Sequence, residues 1–382
     1  MKINPKLITV IVILTIILFG TLSTPQQSQP YQLLATALPS RITVNDSNTV
    51  YDCKGGVIPG LTVNGSNATV RNCVMSGWSG TGLWVNGSNN VLEYIVINDG
   101  VIGNGDKDGV RFFGSGHTFR NIKITINTCA LPAHCDGVQT YGSNSGSNAT
   151  FDGMEIHNFT SYDNSSASKG NCFMLEYGAH DIEIKNSLLN CYRNIMLGDS
   201  AYPATDNIKI HNNTFVGRIP PPVSSIPEFG VFVAKGTNTV VQNNIFYNMA
   251  GEHLYGSITA GYNWIYRTDG ARIYAPTYST DKLSTNPLLD TDYRPLGNSP
   301  ICALGWGAFK CGSVTPTFTP TQITPTFTPT PVSPSTTPSV LPPPTATLTP
   351  TVTPTIAITP VDEEIPVCFL YFRRAVEIIK CP

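Results

Sequence analysis

One pattern of apolar residues returns along the middle of this chain, and its spacing leaves few ways to bury a core other than stacking turn upon turn. An apolar residue recurs at Val50, Val70, Leu92, Phe119, Phe151, Ile184, Ile210 and Val241. Two residues past each stands Asp52, Asn72, Tyr94, Asn121, Gly153, Asn186, Asn212 or Asn243, and a short apolar stretch follows. The step is roughly 20 to 33 residues, the range of solenoid repeats. A variable step on a constant pattern means loops of different length hung on one core, and solenoids grow long faces suited to long ligands.

Within each unit the period is two, not 3.6. Residues 118–124 (TFRNIKI) and 181–185 (DIEIK) alternate cleanly, and no central window makes an amphipathic helix. Asn two residues past the apolar position suits a tight bend, since Asn tolerates left-handed backbone angles. Stacked once per turn, these Asn side chains are expected to form a hydrogen-bonded ladder. A second strand set is expected at 83–86, 110–113, 138–141, 173–176, 195–198 and 231–234. With the first and third residues of each in the core, one outward column is Trp84, Arg111, Gln139, Met174, Met196 and Phe232. The next is Asn86, Phe113, Tyr141, Glu176, Gly198 and Ala234. Arg111 should then lie beside Gln139, and Tyr141 beside Glu176. The insertions 98–107, 127–135, 160–170 and 217–229 all lead into this strand set from one edge, which marks it as the binding face.

Two strand starts match residue for residue, with Asp108-Gly109-Val110-Arg111 aligned on Asp136-Gly137-Val138-Gln139, and Asn171 and Arg193 next in the column. Strict alternation points Asp108 and Asp136 inward, and only a turn at Gly109 and Gly137 aims them outward. A corner Asp can also serve simply as an acceptor for backbone N–H groups.

The ends are different material. Lys2 and Lys6 precede a thirteen-residue apolar run over 7–19, the layout of an export signal and short for a membrane span. Residues 1–37 are therefore expected to be a signal peptide, with an uncleaved N-terminal anchor as the alternative. The coil is expected over 38–312. Residues 313–360 repeat TPTFTPT and lack the means to bury a core, so a disordered Thr/Pro-rich spacer is expected there. A tail over 361–382, closed by Cys368 and Cys381, completes the chain. Ten cysteines in an exported chain favour disulfides. The expected pairs are Cys53–Cys73, Cys129–Cys135, Cys172–Cys191, Cys302–Cys311 and Cys368–Cys381, with a reduced core pair as the alternative at Cys53 and Cys73. Cys spacings do not suit a zinc site. The net charge of −2 offers no basic patch, which argues against nucleic acid as a partner.

Residues 50–60 (VYDCKGGVIPG) and 65–77 (GSNATVRNCVMSG) resemble the opening turns of secreted right-handed parallel β-helix proteins of the pectate-lyase-like superfamily, including its NosD-like group. Residues 286–300 (NPLLDTDYRPLGNSP) are similar to the segment that closes many such domains. The resemblance implies an all-β, right-handed parallel β-helix that is secreted or held at the cell surface and acts on extracellular polysaccharide. Attachment through the termini and a monomeric state are further expectations. His134, Asp136 and Gln139 resemble an element at the same strand start in several polysaccharide-acting β-helix proteins, which implies that they contact or act on a glycan. Asp136, Asp108 and His134 are thus the candidate catalytic residues. Arg111, Gln139, Tyr141, Asn171, Glu176 and Trp84 are the candidate substrate-binding floor. Two stacked carboxylates cannot both ionise freely, which suits a general acid with a carboxylate partner. With Asn171 the same pair is an alternative oxygen set for Ca²⁺; no other cofactor is expected. A lyase would instead need a base beside a neutralised uronate, where Arg111, Lys169 or Tyr141 could serve. The expectation is a lyase or glycoside hydrolase, with a non-catalytic glycan-binding or adhesin-like protein as the alternative.

Overall fold

The structure is a computed structural model that describes residues 40–100, 107–127, 135–158, 170–217, 228–271, 277–311, 367–372 and 375–380. The chain divides into two compact units, residues 1–323 and 324–382. In the second, Val367–Phe372 pairs antiparallel with Ala375–Lys380. The N-terminal segment, the Thr/Pro-rich repeats and Cys381 lie outside the described residues.

The first unit is a parallel β-helix. Nine short parallel strands form one sheet, running from Ile42–Val44 through Leu61–Val63, Leu83–Val85, Val110–Phe112, Val138–Thr140, Asn171–Leu175, Arg193–Leu197 and Phe229–Val233 to Glu252–Tyr255. The remaining strands of the coil stack the same way: Thr118–Ile126 pairs with Val91–Ile97 before it and with Thr150–Asp152 and Glu155–Asn158 after it. No α-helix occurs among the described residues; one 3₁₀ turn, Pro300–Ala303, is capped by the Ser299 side chain.

The repeat is in the predicted register from the second turn on: Val70 pairs with Leu92, then Phe119, Phe151, Ile184, Ile210 and Val241. The first turn is displaced by one, because Tyr51, not Val50, pairs with Val70, and Val50 is 44% exposed. The bend column has positive φ at Asn72, Tyr94, Asn121, Gly153, Asn186, Asn212 and Asn243, and Tyr262 continues it. Asp52 does not share it.

The ladder sits one residue later than expected. A residue in the left-handed conformation turns its own side chain away from the core, so the inward amide belongs to the next position. Asn213 donates its N–H to Asn244 Oδ1 at 2.8 Å, and Asn244 donates its own to Asn263 Oδ1 at 3.1 Å. Asn263 ends the series on Asp281 Oδ1 at 2.9 Å. All three Asn are buried. Aromatic side chains fill the core beside them: Phe119 stacks on Phe151 at 4.6 Å, with Phe112 and Phe173 edge-on, and Phe215 stacks on Phe246. Each such pair adds about 1 kcal/mol beyond area burial.

Three predicted bridges are formed. Cys53–Cys73 joins adjacent turns at a Cα separation of 4.8 Å, Cys172–Cys191 spans 5.6 Å, and Cys302–Cys311 closes the final loop at 5.4 Å. Cys135 is buried and disulfide-bonded, while Cys129 lies outside the described residues.

Candidate functional site

The outward row of the nine-stranded sheet is continuous. Trp84 pairs with Arg111, Arg111 with Gln139, and the row proceeds through Met174, Met196 and Phe232 to Tyr255. The second column follows, since Glu176 donates its backbone N–H to Thr140 O on the preceding turn and so stands level with Tyr141. Rings line one end of the face: Trp84, Phe113 and Tyr141 follow one another at 5.2 and 5.3 Å.

The strand starts break alternation, and glycine makes this possible. A Cβ at Gly109 would lie 2.6 Å from Ile124 Cγ2, and one at Gly137 would lie 2.6 Å from Ile156 Cγ2, so both positions face the core. The next residues, Val110 and Val138, are core as well. Two successive inward positions turn the preceding residue outward, and Asp108 accordingly meets Arg111 on the outer side, Arg111 Nε donating to Asp108 Oδ2 at 2.5 Å.

The two carboxylates differ in what they have left to offer. Asp108 Oδ1 accepts the backbone N–H of Asp136 at 2.8 Å, so both of its oxygens are committed. Asp136 Oδ1 accepts the backbone N–H of Asn171 at 2.8 Å and its side-chain amide at 2.7 Å. Asp136 Oδ2, Asn171 Oδ1 and Gln139 Oε1 are buried with no hydrogen-bond partner among the described residues. Asp108 and Asp136 are closed from solvent, and Gln139 and Asn171 nearly so. The floor expected to be open is therefore a covered polar layer. Arg111 also donates Nη1 to the Tyr141 hydroxyl at 3.3 Å and lies over the rings of Trp84 and Tyr141.

Glu176 is placed differently again. It is 7% exposed and makes no side-chain hydrogen bond or ion pair among the described residues. Burial, with the Asp199 charge nearby, pushes its carboxyl up to about 7. Burial also raises Asp108, with Asp136 beside it, and raises Asp136, whose field includes Glu176. Calcium fits this set poorly. Asp108 is held by a guanidinium, and the remaining unpartnered oxygens bring one carboxylate where Ca²⁺ takes six to eight oxygens. Among the described residues no group of three or more His, Cys, Asp or Glu could hold a metal.

His134, Lys169 and most of the four insertions lie outside the described residues. Three features of the face escaped the sequence reading: Asp199 near Glu176, the Tyr177–Tyr202 stack at 3.7 Å, and the pad where Phe232 stacks on Tyr255 at 4.8 Å with Phe229 beside it. Carrying the strand alignment one turn further, to Glu252–Tyr255, would have found the pad. A cavity of about 990 Å³ lies elsewhere, against the other strands of the coil and lined by residues 301–311.

These features define the class. Residues 102–266 match the family model described as right handed beta helix region, and the chain folds as a right-handed parallel β-helix. No curated protein matches it. Four solved chains match. One, a mutant of the PL6-family alginate lyase AlyGC, is 13% identical with a TM-score of 0.23, over 65% of this chain and 51% of that one. The match spans about half of that chain. The disulfides are compatible with an extracellular location. Among the described residues no helix is long and apolar enough to cross a membrane.

Proposed function

We propose that the outer face of the nine-stranded sheet binds an extracellular polysaccharide along the coil and cleaves it, with Glu176 as the proton-transferring group. The observation that carries this is the slightly exposed Glu176 carboxyl, which has no side-chain partner among the described residues and whose charge acts on Asp136, whose own Oδ2 has no partner among them either. Two acids pushed upward by burial, with the charge of Glu176 acting on Asp136, suit the division of labour in glycoside hydrolysis: one donates a proton to the leaving oxygen, the other stays charged. Asp108 holds Arg111, and Arg111 supports the Tyr141 ring, so these residues set the floor on which a sugar face rests. Export through residues 1–37 and tethering through the Thr/Pro-rich spacer belong to the same proposal.

A second reading is β-elimination. There Tyr141, whose hydroxyl accepts from the Arg111 guanidinium, would be the base beside a uronate. The products distinguish the two: elimination leaves an unsaturated sugar end, and hydrolysis leaves only new reducing ends. The full chain incubated with acidic and neutral polysaccharides, with calcium and with a chelator, should release one or the other. Binding without either product across the panel would make this a glycan-binding protein.

A further inference from the structure

The cavity on the other side of the coil has features that a simple cap would not need. One side is built from the strand Thr118–Ile126 and the bends at Asn121, Gly153, Asn186 and Asn212; the other is Arg294 with the loop closed by Cys302–Cys311. It is a recess of about 990 Å³ open to solvent on one side, and an adjoining recess of about 400 Å³ shares Lys123, Glu155 and Arg294. The closing loop is seated on the coil where Ala308 donates its backbone N–H to Thr214 Oγ1 at 3.0 Å and Gly307 to Asn243 O at 3.1 Å, and the recess opens beside that anchor.

The polar groups lining the space sort into occupied and available. Glu155 accepts from Lys123 at 2.5 Å and contacts His157 at 3.0 Å, and these partners hold its carboxyl down to about 2. Asp152 accepts from Asn186 at 2.7 Å. Asp292 lines only the smaller recess. Arg294 has no such partner. Its guanidinium lies 4.1 Å over the Phe309 ring, and among the described residues its buried Nε has no acceptor and no carboxylate pairs with it; Asp290 takes only its backbone N–H. The side-chain amides of Asn121 and Asn212 also have no partner among the described residues. Trp306 and Phe309 line the same space.

We infer that this cavity is a second ligand site, built for a short saccharide bearing a carboxylate, with Arg294 as the residue that reads the carboxylate. A ring-fixed guanidinium presents a planar fork matched to a carboxylate. The Asn amides suit hydroxyls, and the Phe309 ring fixes the guanidinium from one side. The volume falls in the range of small-molecule sites and far exceeds a free anion. The inference shares no residue with the groove and does not rest on it.

Calorimetric titration of the full chain with trigalacturonate tests it, in the Asp136→Asn background so that the trimer is not consumed. Arg294→Gln should weaken one binding event about tenfold to a hundredfold, the scale of a charged hydrogen bond. Arg294→Lys, which keeps the charge and loses the fork, should fall between. Arg111→Gln, which disturbs the groove, should leave this event unchanged, so failure of the groove reading would show separately. A neutral galactose trimer should bind more weakly than the acidic one. Should Arg294→Gln misfold by circular dichroism, Asn212→Ala and Phe309→Leu carry the same test, each with weaker binding. The inference is overturned if Arg294→Gln binds as wild type, if acetate competes at the concentration of the trimer, or if the neutral trimer binds as well.

Discussion

At the residue scale, two aligned Asp-Gly-Val motifs give two acids with different chemistry. Asp108 has both oxygens committed, one to the next turn's backbone and one to Arg111. Asp108→Ala should cost about 1–3 kcal/mol by orphaning a buried N–H, and should also lower activity by releasing Arg111; chemical denaturation and rate measurements would separate the two losses. Asp136→Asn keeps an acceptor for both Asn171 bonds while removing the titratable oxygen. The fold should persist and the rate should fall by about a hundredfold or more. Retention of full rate would remove Asp136 from the site. Alongside Asp108 and Asp136, which burial also raises, Glu176 carries a share of the pH dependence. As a proton donor with a carboxyl raised from its ordinary 4.5 to about 7, it should lose activity as pH rises through about 7. Its effect on stability has a definite sign: between 4.5 and 7 the native state binds a proton that the unfolded chain has lost, so stability falls with rising pH across that window. Melting temperatures of Glu176→Gln should show a shallower decline there. An equal decline in the variant would mean that Glu176 is not the titrating group.

At the scale of the element, the coil is held by a division of labour between adjacent residues at each bend. Asn243 supplies the left-handed backbone (φ 58°), and Asn244 turns inward to bond Asn213 N–H, Ile210 O and Gln242 O. Asn244→Ala should therefore be destabilising by about 3 kcal/mol or more, since several buried backbone groups lose their partner. Asn243→Ala should cost only about 1–2 kcal/mol, the left-handed penalty. Urea unfolding that found the reverse order would mean that the ladder has been placed on the wrong residue. This also marks where the sequence was legible. Alternation in Thr118–Ile126 and the recurrence of Phe119, Phe151 and Ile184 set the register because shifting a strand by one residue would expose the entire core face. The first turn slipped because Val50 and Tyr51 are both apolar and only one pairs with Val70. The ladder slipped because Asn-Asn at 212–213 and 243–244 offers two candidates that differ only in backbone angle.

For the whole molecule, the face was easier to read than its chemistry. The Trp84–Arg111–Gln139 row follows from strand period alone, and the structure has it in that order. That Asp108 and Asp136 point outward depends on kinks at Gly109 and Gly137; the glycines are legible in the sequence, but the close approach of Ile124 and Ile156 that requires them comes from other strands. That Glu176 stays unpaired while Asp108 does not is a property of neighbours brought together only by coiling. The aromatic pad of Phe229, Phe232 and Tyr255 lies about five turns from Trp84, roughly 24 Å at the spacing of stacked strands. If a chain runs along this face, Phe232→Ala should weaken long oligosaccharides and leave short ones nearly unaffected, a contrast that binding measured against chain length would reveal.

The most direct test of the groove proposal follows product formation from a panel of acidic and neutral polysaccharides, comparing the wild-type chain with Glu176→Gln and Asp136→Asn. New chain ends are expected from at least one polysaccharide with wild type, and about a hundredfold less from each variant at equal folded concentration. Equal product from wild type and both variants, or none from any polysaccharide that wild type binds, would contradict it.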